Sequence, residues 1–435
     1  MNVLIVNKFL MGDANAVGAT MQSNLYGMMD GDEPVNFLQY CIDDRPNAHA
    51  KMVESIFMDS KDSVDGYLKS LKRKLTGRKE NETNLNASEV KTDNKPATKS
   101  AIPSTQVSKK GELMRGVYYS LPTKVSKANM ARIKEFNPDL IYTQGESIRV
   151  LNQTIKLAKK LKVPVVFHCM DDFKSTLYTG SSLAKIFNKK LNAKIRKVNK
   201  LSVENLGICE KMAKHYSETY NKPYSYASNC VTNFGSNNYQ KDLNKNMTVL
   251  FSGAMHFHRG DTLLLASAAI EQLNAEGKNI DLKIYGPKTQ IEAYGKDFAK
   301  YPHTTLLPYV PQSEVVKNLE TADVLIHVEP FEKGDIRFVK YSFSTKLAEY
   351  LASGRCVIGL GPKDVAGIEY IKDNECGLVA GSQDEVKDAL LYLYNNPEER
   401  VRYAKKAYDV AENYHTHQKV QDRILKVFKH SLGEE

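Results

Sequence analysis

The sequence lacks long apolar segments, and its cysteines are few and scattered. No apolar run reaches the roughly 18 residues that a membrane-spanning helix needs. The start, MNVLIVNKFLMG, has no basic region ahead of its apolar residues, which predicts a strand and not a signal peptide. The six cysteines form no Cys-x-x-Cys pair, so we expect a reducing, cytoplasmic environment.

Signatures of several functional classes are also missing. There is no Walker phosphate loop, helix-turn-helix, zinc-finger or ribonucleoprotein signature. Asp30-Gly31-Asp32 lies in a turn-like setting and does not follow an apolar strand, and His415 and His417 have no carboxylate or cysteine at ligand spacing. We therefore expect no metal and no nucleic acid. The net charge of +10 then suits a phosphorylated small ligand or an anionic membrane face.

The predicted elements have the order of two alternating α/β domains. At 435 residues the chain exceeds the size of a single core. Strands and helices alternate in residues 1–235 and again in 246–410, which predicts two doubly wound parallel sheets facing across a cleft. A stretch at about 76–111 is rich in Lys, Asn, Ser and Thr and reads as a flexible insertion. Residues 411–435 are expected to form a C-terminal helix that crosses back to the N-terminal domain.

Chemistry-bearing residues are predicted at the mouth of each sheet. Ser344 and Thr345 precede the run KLAEYLASGRCVIGLG and form a helix N-terminus with its Lys346, and Glu349 follows one turn later. Backbone amides, the helix dipole and the lysine favour a bound phosphate there, and the glutamate can accept from ribose hydroxyls. A simple surface ion pair of Lys346 with Glu349 is the alternative. In the first half, the strand VPVVFH delivers His168 to its carboxyl end.

Several of these segments resemble those of a known family. FSGAMHFHRGDTLLLASAAI, KLAEYLASGRCVIGLG and IEYIKDNECGLV resemble family-4 glycosyltransferases, retaining enzymes of the GT-B fold with two Rossmann-like domains. The run His168-Cys169-Met170-Asp171-Asp172-Phe173 resembles the His-x-Met-Asp-Asp-aromatic signature of bacterial surface-polysaccharide transferases. The resemblance implies transfer of a hexosyl group from a nucleotide sugar to a hydroxyl of a glycan or lipid-linked acceptor, with no metal or other cofactor.

The resemblance also implies roles for individual residues. His168, Asp171 and Asp172 are expected to be catalytic on the acceptor side. Many family members carry an arginine where this chain has Ala254, and the first glutamate of the family's usual pair falls on Tyr341. Glu329 and Glu332 lie in a longer loop, and either could approach the sugar hydroxyls instead. The expected donor-binding residues are Gly18, Gly253, Arg259, Gly286, Ser344, Thr345, Lys346 and Glu349.

The sequence leaves alternatives open for the partner and for the function class. A basic amphipathic helix from Leu183 to Lys200 has its lysines opposite an apolar side. It is either an ordinary packed helix with a solvated face or a helix attracted to anionic lipid, which would place the protein at the inner face of the plasma membrane. A nucleotide-sugar epimerase of similar fold and a non-catalytic nucleotide-binding partner are the other two function classes.

Overall fold

The computed structural model describes residues 1–11, 16–31, 33–42, 53–58, 109–236 and 246–434, with backbone only for residues 16–20, 109 and 312. Residues 76–108 of the expected insertion lie outside these ranges, as do residues 237–245 between the two domains. Residues 109–111 belong to a helix, so the insertion is shorter at that end than the composition suggested.

The N-terminal domain contains a seven-stranded sheet in the order β3-β2-β1-β4-β5-β6-β7, and neighbouring strands run parallel. The order reverses between β1 and β4, and in such sheets ligands bind at the carboxyl ends of the strands beside that reversal. The strands are β1 (Asn2–Asn7), β2 (Asn36–Cys41), β3 (Glu54–Phe57), β4 (Leu140–Thr143), β5 (Val165–Cys169), β6 (Asn205–Gly207) and β7 (Tyr224–Tyr226). The helices are α1 (Ala16–Leu25), α2 (Lys109–Ser120), α3 (Lys127–Phe136), α4 (Ile148–Leu161), α5 (Phe173–Thr176), α6 (Ala184–Asn199) and α7 (Glu210–Tyr220).

The C-terminal domain contains a six-stranded parallel sheet in the order β10-β9-β8-β11-β12-β13. Here the order reverses between β8 and β11, so the expected ligand edge lies beyond the ends of these two strands. The strands are β8 (Met247–Ser252), β9 (Ile280–Gly286), β10 (Thr304–Pro308), β11 (Val324–Val328), β12 (Cys356–Leu360) and β13 (Leu378–Ala380). The helices are α8 (Arg259–Ala275), α9 (Lys288–Phe298), α10 (Val315–Leu319), α11 (Lys333–Val339), α12 (Thr345–Leu351), α13 (Ala366–Asp373) and α14 (Gln383–Asn395).

The last two helices join the domains. Helix α15 (Pro397–Tyr414) ends in the C-terminal domain, and α16 (His417–Leu432) starts after a two-residue break. Thr416 caps α16 by accepting a hydrogen bond from the amide of Lys419 at 3.3 Å. Phe428 of α16 meets Tyr142 of β4 edge to face, with ring centres 5.8 Å apart. The predicted crossing back to the N-terminal domain is confirmed, as is the two-sheet fold.

Loops at the carboxyl ends of the two sheets touch one another. The Ser342 hydroxyl donates to Asp171 Oδ1 at 3.2 Å, and Arg337 donates to the Thr179 hydroxyl at 2.9 Å. Two further contacts are the His215–Tyr341 ring stack, with centres 4.2 Å apart, and the Lys211–Glu369 ion pair. The ligand edges of both sheets therefore border the same interdomain gap.

Two helices occupy segments for which the sequence predicted none. Helix α2 lies where the apolar periodicity had faded, and α11 lies in the expected long loop after β11. The carboxylate of Glu332 caps α11 by accepting from the Gly334 amide at 3.3 Å. Glu332 is thus occupied as a helix cap. No helix in the described ranges is both long and apolar enough to cross a membrane.

Candidate functional site

At the carboxyl edge of the C-terminal sheet, a lysine ammonium lies over a bare glycine turn. The Tyr350 hydroxyl accepts from the Ser252 amide at 2.7 Å and donates to the Ser252 carbonyl at 3.1 Å, which ties α12 to the end of β8. A methyl group added to Gly253 would lie 2.7 Å from Lys346 Nζ. The absence of a side chain at Gly253 therefore makes room for this ammonium, as the close approach of a turn requires.

The helix that carries Lys346 presents its first turn to the same edge. Ser344 is the N-cap of α12, a helix of seven residues, and its side chain makes no capping hydrogen bond. Thr345 is exposed. Glu349 follows Lys346 by one turn, and burial raises its pKa while the Lys346 charge opposes that rise. The predicted cluster of Gly253, Lys346 and Glu349 is therefore brought together.

Lys346 carries its charge in an unfavourable place. Burial and the neighbouring Arg259 charge lower its pKa to about 8, although Glu349 and Glu329 act in the opposite direction. A buried cation held beside a second cation is stabilised by any anion that enters between them. The geometry thus suits a negatively charged ligand.

Arg259, the second cation, is held by a buried carboxylate. Its Nη2 and Nε donate to Glu329 Oε2 at 2.8 and 3.1 Å. His327 Nε2 lies 3.2 Å from the other oxygen, Oε1. Burial alone would raise the pKa of Glu329, but Arg259 and His327 bring it below its usual value. Glu329 is therefore a charged anchor for Arg259, and a contact with sugar hydroxyls stays a prediction.

The loop between β8 and α8 is strained and clamped. Phe257 and His258 both adopt left-handed backbone angles, with φ of 57° and 55°, which is costly for residues with large side chains. His258 Nδ1 lies 2.6 Å from Asp335 Oδ2 of α11, and Phe257 stacks on Phe338 with ring centres 4.8 Å apart. Helix α11 therefore holds this loop, and with it the start of α8, in one conformation.

His256 lies near both cations. Its Nε2 is 3.4 Å from Arg259 Nη1. Burial, followed by the charges of Arg259 and Lys346, lowers the pKa of His256 to about 4. The ring is therefore neutral near pH 7. The sequence offered no signal for this residue, because an isolated histidine in a turn has no distinctive spacing.

Two further glycines shape this edge. A methyl on Gly286, at the end of β9, would lie 3.3 Å from the Gly253 carbonyl oxygen, so these two predicted residues are adjacent. A methyl on Gly260 would lie 2.2 Å from the Tyr294 ring. Gly260, which follows Arg259, therefore allows the ring of Tyr294 from α9 to pack against α8.

The predicted catalytic histidine is inside the N-terminal domain. His168 is fully buried. Its Nε2 donates to the Ala227 carbonyl at 2.9 Å, and its Nδ1 lies 2.8 Å from the Tyr142 hydroxyl. Burial lowers its pKa to about 4, so the ring is neutral and both nitrogens are occupied. This geometry leaves neither ring nitrogen free to contact a substrate. The sequence predicted that His168 lies at a strand end, but it did not predict that the side chain is buried.

The two aspartates after β5 differ in their surroundings. Asp172 is buried, and its Oδ1 accepts from the Tyr216 hydroxyl at 2.6 Å, which is a packing role. Asp171 is exposed and accepts from Ser342 of the other domain, and desolvation raises its pKa to about 6. Asp171 is therefore the one residue of this trio that faces the interdomain gap.

Glu146 is an acceptor-side candidate that the sequence analysis missed. It follows β4, both of its carboxylate oxygens are buried, and no side chain among the described residues donates a hydrogen bond to them. Burial raises its pKa to about 7, opposed by the backbone amides of Glu146 and Lys8 and by the Lys8 charge. Its place after the strand LIYT follows the same rule that selected His168, so the sequence did contain a positional signal.

The other predicted residues are less informative. Gly18 lies within α1, and its surroundings are outside what the structure describes. Tyr341, which replaces the first family glutamate, stacks on His215 and accepts from the Cys209 thiol through its carbonyl at 3.3 Å. It joins the two domains.

Comparison with known proteins is consistent with this architecture. A family model described as glycosyl transferase-like matches residues 264–426. HepE from Anabaena, solved in complex with UDP, is similar over 99% of this chain and 100% of its own, with a TM-score of 0.60 and 11% identity. Sucrose-phosphate synthase from Thermosynechococcus elongatus is similar over 99% of each chain, with a TM-score of 0.61 and 10% identity. No curated protein sequence matches the chain.

WaaG, a glycosyltransferase involved in lipopolysaccharide biosynthesis, is also similar, with a TM-score of 0.51 and 12% identity over 98% of this chain and 99% of its own. Identities this low show a shared fold. The chain thus has the two-domain fold of GT-B glycosyltransferases, and its residues 264–426 match a glycosyl transferase-like family.

Proposed function

We propose that this protein is a retaining, family-4-like glycosyltransferase. It transfers a hexosyl group from a nucleotide sugar to a hydroxyl acceptor during the assembly of a cell-surface polysaccharide, at the inner face of the plasma membrane. The family match to residues 264–426 and the GT-B fold support glycosyl transfer. The resemblance of the His168 to Phe173 segment supports the polysaccharide role.

One observation carries the donor half of this proposal. Lys346 is a largely buried ammonium with a depressed pKa, beside Arg259 and over the bare Gly253 turn. A nucleoside diphosphate would supply the negative charge that this arrangement lacks. Arg259 already shares one charge with Glu329, so Lys346 provides the larger part of the uncompensated positive charge.

The same two cations suit the chemistry of glycosyl transfer. When the bond between the sugar and the phosphate breaks, negative charge develops on the departing diphosphate. Cations fixed in place before that moment stabilise this charge without reorganising. In this proposal Lys346 and Arg259 take the role that a divalent ion has in other transferases. Glu349, one turn from Lys346, accepts hydrogen bonds from the ribose.

On the acceptor side, the proposed groups are Asp171 and Glu146. The raised pKa values of both carboxyls, about 6 and about 7, suit groups that accept a hydrogen bond or a proton from a hydroxyl near neutral pH. His168 is left out of this proposal because Tyr142 and Ala227 occupy its ring nitrogens.

The test is nucleotide binding followed by turnover. Thermal-shift screening against UDP, GDP and CMP and their sugars selects the donor. Lys346→Met and Arg259→Gln should each weaken binding of the selected diphosphate by at least about tenfold, which is about 1.4 kcal/mol. Lys372→Met is the matched control, because Lys372 is an exposed lysine on α13.

Turnover then separates the function classes. A transferase releases the nucleotide at an appreciable rate only when the acceptor is present, whereas an epimerase acts on the donor alone. Undiminished nucleotide affinity in the double variant Arg259→Gln, Lys346→Met would exclude the proposed donor site. Loss of turnover with a chelator would exclude the role given to the two cations.

A further inference from the structure

Helices α2 and α6 lie side by side on the N-terminal domain. A methyl on Gly116 of α2 would lie 2.4 Å from the Phe187 ring of α6, so the helices are in direct contact. The Lys190 ammonium donates to the Ser120 carbonyl at 3.4 Å, and the Gly180 amide donates to Glu112 at 2.8 Å. Successive positions on α2 thus meet successive positions at and before α6, and the two helices run parallel. We call their outer surface the α2–α6 face.

The charge of this face is one-sided. Helix α6 contains six basic residues and no acidic one. The charges of Lys197, Lys190 and Lys156, after burial, lower the pKa of Lys194, so α4 adds a further cation beside them. The basic residues of α6 are Lys185, Lys189, Lys190, Lys194, Arg196 and Lys197.

Exposed apolar side chains accompany these cations. Leu183, at the start of α6, is 60% exposed and Ile186 is 61% exposed, while Met114 and Val117 of α2 are 60% and 44% exposed. With Tyr118, they make up five of the nine exposed large hydrophobic residues found in the described ranges. A packed helix with a merely solvated face accounts for the lysines but not for this concentration of apolar groups.

We propose that the α2–α6 face docks on an anionic lipid bilayer. The four aliphatic side chains enter the headgroup region, and the lysines lie among the lipid phosphates. Apolar insertion combined with basic charge is the pattern of interfacial helices. A polyanion such as nucleic acid would use the lysines only, so the exposed apolar residues favour the bilayer.

The face adjoins the interdomain gap. The chain runs from Asp171 through Thr179, which accepts from Arg337 of the opposite domain, and reaches Leu183 four residues later. A docked bilayer would therefore lie near the acceptor side of the gap. The identity of the acceptor as a lipid-linked sugar rests on the proposed function, whereas docking itself does not.

The experiment is co-sedimentation of the full chain with phosphatidylcholine vesicles that contain or lack phosphatidylglycerol. The parent protein should bind only the anionic vesicles. The triple variant Lys185→Ala, Lys189→Ala, Lys197→Ala should bind them roughly 100-fold more weakly, since each surface cation contributes about fivefold. Its control is Lys288→Ala, Lys296→Ala, Lys300→Ala, which removes the same charge from exposed positions of the C-terminal domain.

The apolar contribution needs its own pair. Leu183→Asn with Ile186→Asn should weaken vesicle binding by about tenfold or more, whereas Val203→Asn, at an exposed residue outside both helices, should leave it unchanged. Equal binding to neutral and anionic vesicles, or equal loss in the two lysine triples, would overturn the proposal. So would full binding by the Leu183, Ile186 variant, which would indicate a surface for soluble polyanions.

These measurements use no sugar donor, and their failure is separate from failure of the proposed function. Vesicle binding by a chain without nucleotide affinity would refute the transferase and leave docking standing. Nucleotide-dependent transfer by a chain that does not bind vesicles would refute docking and leave the proposed transferase function standing.

Discussion

Nucleotide binding should depend on pH through Lys346. Burial and Arg259 lower the pKa of its ammonium from 10.5 to about 8, a cost of roughly 3 kcal/mol at 1.36 kcal/mol per pH unit. A bound diphosphate favours the charged form and raises this pKa. Because the pKa is higher in the complex than in the free protein, affinity is full below pH about 8 and falls about tenfold per pH unit above it.

Three variants separate Lys346 from other titrating groups. Lys346→Arg keeps its charge at every accessible pH, so its affinity should stay flat above pH 8. Lys346→Met should be weaker throughout and also flat. Arg259→Gln removes one cause of the depressed pKa, so the point at which affinity declines should move upward toward 10.5, although the affinity itself is lower.

Isothermal titration calorimetry measures these profiles with the diphosphate chosen in the thermal-shift assay. All buffers have equal ionic strength, because dissolved salt weakens charge interactions. Lys372→Met should reproduce the parent profile. A parental affinity that does not change on passing pH 8, or a Lys346→Arg profile that keeps the same decline, would refute the assignment of the anion site to Lys346.

Three further predictions concern single residues. Gly253→Ala should lower diphosphate affinity by about tenfold and the unfolding free energy by about 1 to 3 kcal/mol, because the new methyl lies 2.7 Å from the Lys346 ammonium and 2.8 Å from the buried Phe251 ring; calorimetry and urea unfolding measure the two. His168→Ala should lower the unfolding free energy by about 2 to 4 kcal/mol through a cavity and an unpaired Tyr142 hydroxyl, and an unchanged kcat for transfer to the acceptor in the folded protein would confirm that its role is packing. With saturating donor, kcat/KM for the acceptor should rise as Glu146 ionises through pH about 7, and Glu146→Gln should abolish that rise while binding diphosphate normally; a profile that persists in the variant would assign the ionisation elsewhere.

The fold could be predicted from the sequence because it depends on the order of strands and helices along the chain. Apolar strands alternating with amphipathic helices leave little choice beyond parallel sheets, and the motifs at Gly253 and Lys346 lie at fixed distances from strand ends. The structure joins these two residues through the Tyr350 hydroxyl, a contact between segments almost 100 positions apart. No local pattern specifies that contact.

The acceptor side was predicted less well, because burial depends on tertiary packing. His168 and Glu146 both lie at the carboxyl ends of strands, yet both nitrogens of His168 are paired, whereas no side chain among the described residues donates to the Glu146 carboxylate. Glu329 shows the same limit, since its partner Arg259 is 70 residues away. Helix α2 was missed because its flanking composition is polar and its apolar residues are partly exposed.

The return of α16 to the first domain bears on biosynthesis. His417 Nδ1 donates to the Ser23 carbonyl at 3.0 Å across 394 positions of sequence, and Val420, Ile424 and Phe428 of the same helix are buried against the first sheet. While the chain is still bound to the ribosome and this helix has not been synthesised, part of that sheet is uncovered. Completion of the first domain's core therefore requires the last described helix of the chain.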